Sequence, residues 1–213
     1  MAPAPRPRLA LFVATTCAAL TLASCGGGGA RGSPVLDFMR FPDPATSPYC
    51  LPYPIGESAR VTQTWSDTGT HRGRFAIDFA RPVGSEVTAA RGGEVTETRA
   101  RYRDDDPTGG HENGVYVLHE DGTMAAYLHF SEDGVVVDVG DDVVTGQALG
   151  LIGTSGTNGA PHLHVEVFEG QGEASQWYRS LPISFANAPA PLDAWGGLSH
   201  TGYESLPCEP ATR

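Results

Sequence analysis

The sequence predicts an all-β domain, an antiparallel β-sandwich or partly open barrel, on three observations. From Ala59 onward, short runs rich in Val, Ile, Thr, Tyr and Phe are separated by Gly, Asn and Asp, which is the punctuation of strands and turns. None of that region carries an apolar helical stripe sustained over several turns. One hairpin is marked outright: Val115 to His119 and Met124 to His129 flank Glu120-Asp121-Gly122-Thr123, where Asp-Gly supplies the positive φ angles a tight turn needs.

In chain order the predicted strands are Arg60 to Trp65, Phe75 to Ala80, Glu86 to Ala89, Gly93 to Arg99, Val115 to His119, Thr123 to His129, Val135 to Val137, Ala148 to Ile152 and His162 to Phe168. They define a domain over residues 59–186, preceded by a Pro-rich arm at 35–58 and followed by a Pro- and Gly-rich segment at 187–213, read as loop.

Residues 1–24 read as a signal peptide, because Arg6 and Arg8 precede the apolar run Leu9 to Leu20 and small residues lead to Cys25. The run is about a dozen residues, short of the roughly 20 that span a bilayer as a helix. Leu22-Ala23-Ser24-Cys25 resembles the lipobox of bacterial lipoproteins, in which the cysteine is acylated. The expectation is an exported protein held to a membrane by lipid alone, in a two-membrane cell at the outer membrane facing the periplasm, with the Gly-rich stretch 25–34 as a flexible tether.

The chain of 213 residues carries a formal charge of −11 and no lysine, and losing the leader removes two arginines more. Such a balance excludes nucleic acid as a partner and leaves attraction of any substrate to local groups. Of four cysteines, Cys17 leaves with the leader and Cys25 takes the lipid. Cys50 and Cys208 remain, and in an exported protein they pair or stay as free thiols; a bridge closing so long a loop is worth up to about 5 kcal/mol.

The sharpest chemical feature is His162-Leu163-His164-Val165-Glu166-Val167-Phe168. Strand alternation sends His162, His164 and Glu166 to one face and Leu163, Val165 and Val167 to the other. Taken alone, this is either half of a metal site or a polar strand face. Hydrolytic zinc sites use three protein ligands drawn from His, Asp, Glu and Cys, with a fourth position open to water. Asp78 stands opposite the face of Phe75, Ile77 and Phe79, and a carboxylate there wants a metal, an arginine or backbone donors.

The combined pattern resembles the lysostaphin and LytM-type zinc endopeptidases, the duplicated hybrid motif peptidases, over roughly His71 to Phe168. The likeness runs through Asp78-Phe79-Ala80-x-Pro82-x-Gly84-x-x-Val87-x-Ala89, Gly93-x-Val95, Asn113-Gly114-x-Tyr116-Val117 and Tyr127-Leu128-His129. It continues through Gly140-Asp141-x-Val143-x-x-Gly146-Gln147-x-Leu149-Gly150, Gly153-x-Ser155-Gly156 and His162-Leu163-His164. The resemblance implies a zinc site in a surface groove held by His71, Asp78 and His164, with His129 and His162 acting in catalysis on the peptide part of peptidoglycan. Six residues separate His71 from Asp78 where the family usually has three, so an enlarged loop must carry His71.

Other readings of such a domain are a wall-binding or hydrolase-activating module and a peptidase of envelope proteins, in each case as a monomer. Glu166 reads as a supporting group or a solvated acid. Asp104-Asp105-Asp106 lacks the spacing of a calcium loop and reads as solvated. His111, His119 and His200 take no role. The Gly153 to Gly159 stretch reads as backbone lining the cleft, not as a phosphate loop.

Overall fold

A computed structural model describes residues 41–64, 69–170, 179–188 and 202–209. The leader, Cys25, the tether, Trp65 and His200 lie outside them. The described residues form eleven strands: β1 Ser58–Gln63, β2 Ile77–Ala80, β3 Glu86–Thr88, β4 Gly93–Arg99, β5 Gly114–Leu118, β6 Thr123–Leu128, β7 Phe130–Val135, β8 Asp142–Val143, β9 Ala148–Ile152, β10 His162–Glu169 and β11 Gly202–Glu204. Eight make one antiparallel sheet in the order β11-β1-β2-β10-β6-β5-β4-β8; three make a second in the order β3-β9-β7. The large sheet is open, with β11 and β8 at its edges.

Alternation decides what lies between the sheets. Phe79 of β2, Leu163 and Val165 of β10, Tyr127 of β6 and Val115 and Val117 of β5 are fully buried on one face, against Val87, Leu149, Ile152 and Phe130 from the small sheet. Burying each such side chain is worth about 1.5 to 3 kcal/mol. The neighbours of these residues turn to the opposite face. There Tyr116, Met124, Ala126 and Phe168 form a second, small apolar cluster beside Asp78, His164 and Glu166.

The Pro-rich arm is part of the core. Cys50 N donates to Ala90 O (2.7 Å), Thr88 N to Pro52 O (3.0 Å) and Ala186 N to Tyr49 O (2.7 Å), while Tyr53 is buried and its hydroxyl donates to Tyr203 O (2.7 Å). Cys50 and Cys208 are joined as a disulfide with their Cα atoms 6.1 Å apart, which ties the arm to the end of the chain.

Several boundaries differ from expectation. β2 starts at Ile77, because 72–76 form a turn in which Gly73 sits at φ +71° and Arg74 N donates to His71 O (3.0 Å). The strand expected at Val135 to Val137 is β7, Phe130–Val135, whose polar Ser131-Glu132-Asp133 stretch conceals it; its pairing with β9 is irregular between Phe130 and Val135. β8 and β11 are two and three residues long. Each exists as an edge partner, of β4 and of β1, so β11 places a strand in a segment that reads as loop.

Candidate metal centre

Register builds the site. On β10 and β2, His164 lies directly opposite Asp78 and His162 opposite Ala80, so the two polar residues meet on the face away from the core. The turn at 72–76 folds the enlarged loop back and sets His71, at the end of a short 3-10 turn (Gly69–His71), over Asp78. His71 Nε2 is 3.2 Å and His164 Nδ1 3.0 Å from Asp78 Oδ1, and all three residues are buried. One donor atom from each lies within 4.8 Å of the others. Adjacent ligands of a tetrahedral zinc, at about 2.0 to 2.1 Å from the ion, stand about 3.3 Å apart, close to these spacings.

The protons make the stronger case. His71 Nδ1 lies 3.2 Å from Thr64 O, and since a carbonyl only accepts, Nδ1 carries the hydrogen and a neutral ring leaves Nε2 as a bare lone pair. That lone pair faces a carboxylate oxygen and has no hydrogen-bond partner. Two acceptors so placed repel unless a proton or a metal cation sits between them, and the donor set fits a metal ion. Two imidazoles and one carboxylate are a hydrolytic zinc set.

Charge within the cluster is settled by mutual contact. Burial alone would raise the Asp78 carboxyl and lower the His164 imidazole; hydrogen bonding between the two outweighs it, leaving Asp78 well below the carboxylate range and His164 above the usual imidazole value. His164 Nε2 faces Glu166 Oε2 at 3.8 Å. Glu166 is itself buried, and although burial opposes ionisation, its contacts with His164 and Arg74 hold it at about 2. Arg74 reaches it with two nitrogens, Nε donating to Oε1 at 3.1 Å and Nη2 pairing with Oε2. The enlarged loop thus delivers an arginine that fixes the carboxylate behind a candidate ligand, as supporting carboxylates do in metal sites.

His129 and His162 stand at the rim, half-buried, with ring centroids 4.6 Å apart; His129 is 5.9 Å from the His164 ring. Each is tethered through Nδ1 to a main-chain oxygen, His129 to Ser155 (2.8 Å) and His162 to Ala160 (2.8 Å). In the neutral ring Nε2 is therefore free to accept a proton. His162 Nε2 lies 3.8 Å from Asp78 Oδ2. Burial pushes His129 down to about 4, so it is neutral at pH 7. The five predicted residues thus converge, three buried and two at the rim.

The loop between β4 and β5 departs from expectation. Asp104 is no solvated acid: its carboxylate accepts from Thr154 N (2.9 Å) and its carbonyl from the Thr154 hydroxyl. Asp106 pairs with His111 (2.6 Å), which stacks on Tyr102 at 4.4 Å, leaving Asp105 exposed with Arg103. His119 is buried away from the groove with Nδ1 on Gly92 O (2.9 Å).

Residues 71–176 match the family model described as Peptidase family M23. The chain is 31% identical over 146 residues to the peptidoglycan DD-endopeptidase ShyA of Vibrio cholerae, covering 66% of this chain and 30% of that one. It is 34% identical over 156 residues to the glycyl-glycine endopeptidase ALE-1 of Staphylococcus capitis (72% and 33%), and 32% over 154 residues to lysostaphin of Staphylococcus simulans (71% and 24%). The chain therefore spans a third or less of the length of these curated relatives. Among solved structures it is similar to lysostaphin from Staphylococcus simulans, with a TM-score of 0.47 at 24% identity over 58% of this chain and 47% of that one. With His71, Asp78, His129, His162 and His164 all inside the matched span, residues 71–176 form a domain of peptidase family M23.

Proposed function

We propose that this protein is a zinc metalloendopeptidase that hydrolyses peptide bonds in peptidoglycan stems or cross-links. The observation that carries the reading is the Nε2 of His71 facing the ionised Asp78 beside His164, with two imidazoles at the rim. Zinc held by these three residues would supply a Lewis acid and a water with a pKa near 7. His129, neutral at pH 7 with Nε2 unprotonated, takes the proton of the attacking water and later returns it to the leaving amine. Once protonated, that ring, with His162 beside it, places an N–H donor by the oxygen on which charge develops. The printed activities of the relatives, a peptidoglycan DD-endopeptidase and a glycyl-glycine endopeptidase, support peptidoglycan peptides as the substrate class.

The sequence supports export and a lipid anchor at Cys25, and the Cys50–Cys208 disulfide fits an oxidising compartment. The protein acts as a monomer held at the cell envelope, in a two-membrane cell on the periplasmic face of the outer membrane.

Incubating purified protein with isolated sacculi, with zinc or with a chelator, tests the reading. Mass spectrometry of the released muropeptides is expected to show one class of peptide bond cleaved only with metal. Binding to sacculi without release would instead support a wall-binding or activating module, and cleavage confined to envelope proteins would move the substrate elsewhere.

A further inference from the structure

Resting on the peptidase reading, we propose that Asn113 and Ser155 are positioning residues that fix the tautomer and aim of His129. The hydrogen bond that leaves His129 Nε2 free is made to Ser155 O (2.8 Å), so catalysis by His129 depends on where that carbonyl stands. Nothing in the Gly153-Thr154-Ser155-Gly156 segment is a strand; it is held by contacts. The Ser155 hydroxyl donates to Phe130 O (2.7 Å) and accepts from Asn113 N (2.9 Å), spanning the residue after His129 and the start of β5. The Asn113 side chain closes the other way: Oδ1 accepts from Tyr102 N (2.9 Å) and Nδ2 donates to Tyr102 O (2.6 Å). Both residues are fully buried, at 0% exposure, so no water can replace these bonds.

Backbone geometry at His129 gives these contacts a load to hold. His129 adopts φ +70°, left-handed backbone that costs a non-glycine residue about 1 to 3 kcal/mol and persists only where surroundings enforce it. Its carbonyl is captured by Gly153 N (2.8 Å) and its ring by Ser155 O, so one short segment grips both ends of the residue. Gly153 is required there, because a Cβ would meet the Asp104 carboxylate and the Ser131 backbone. Asp104 pins the same segment through Thr154 N. The β4–β5 loop, remote from the metal ligands in sequence, is thereby the rear support of the rim histidine.

The test uses zinc-loaded protein with 15N-labelled histidine, reading the His129 tautomer from two-bond 1H–15N correlations. In the parent a pure Nδ1–H pattern is expected. Ser155→Ala and Asn113→Ala are expected to turn it into a mixture of tautomers and lower kcat on a synthetic cross-linked stem peptide about 10- to 100-fold, with KM and zinc stoichiometry unchanged. Ser155→Cys, which keeps a weak donor and acceptor at the same position, is expected to lose less and serves if the alanine variants fail to fold. A lowered kcat with the Nδ1–H pattern intact would reduce both residues to scaffolding and overturn the proposal. So would an unchanged kcat. The tautomer is read without substrate, so an inactive parent would count against the peptidase reading alone.

Discussion

The two halves of the groove are held by different means. His71, Asp78 and His164 sit on or against paired strands, below 7% exposed, and Asp78 and His164 set each other's charge through direct contact. His129 stands in the turn after β6 and His162 at the first residue of β10, and each is tethered to a main-chain oxygen. The first arrangement gives a rigid, preformed ligand set whose charge depends on its members. The second gives rings whose position depends on distant loop residues but whose free nitrogen faces the groove. Under the proposed function, binding a metal and moving a proton fall to separately supported structures.

Asp78→Ala should produce the largest effect, because it removes the carboxylate both histidines face: zinc binding and peptide release are expected to vanish together, measured by metal analysis and sacculus digestion. His129→Ala should separate the halves. Peptide release is expected to fall about 10²- to 10⁴-fold, the usual worth of a positioned acid–base group, with zinc content retained. Loss of zinc in that variant would erase the distinction between the two halves.

His119 shares the Nδ1-to-carbonyl tether but lies in the core beside Tyr49, and burial holds it at about 4. The unfolded chain takes up a proton near 6.5, so it binds more protons than the folded chain between pH 6.5 and 4, and stability falls as pH drops through that window. The loss from His119 by pH 4 is about 3 kcal/mol, read by urea denaturation, and His119→Gln should reduce the slope to the part that His129, also held at about 4, contributes. A slope unchanged in the variant would place the titration elsewhere. Smallest is the supporting pair behind His164: Glu166→Gln or Arg74→Ala is expected to weaken zinc affinity about 10-fold, against a competing chelator. If Arg74→Lys restores affinity fully, the two-nitrogen grip adds nothing beyond charge.

Much of this was legible before the structure. Period-two alternation placed Asp78 and His164 on the face away from Phe79 and Leu163, because a strand inverts its side chains at each step and one apolar face must be buried. The paired histidines and the marked hairpin carried local signals of the same kind. What stayed hidden is tertiary. Asn113 and Ser155 fell inside the resembling motifs, yet their bonds join segments 42 residues apart, and no local rule reveals a serine whose carbonyl matters more than its hydroxyl. Arg74 was an unremarkable loop residue until the turn at Gly73 aimed it at Glu166. β8 and β11 are too short for any propensity to register, since their partners create them.

The disulfide also determines how the domain carries mechanical force. A pull on the two ends of the chain enters at Cys50, crosses one covalent bond and leaves at Cys208, so the intervening strands carry none of it, although the bond spans a sequence separation of 158 residues. Were the chain anchored at Cys25 as proposed, tension between its ends would leave the groove at full registry, and only a reductant would let the same tension unzip β1 from β2 and draw Asp78 away from His164.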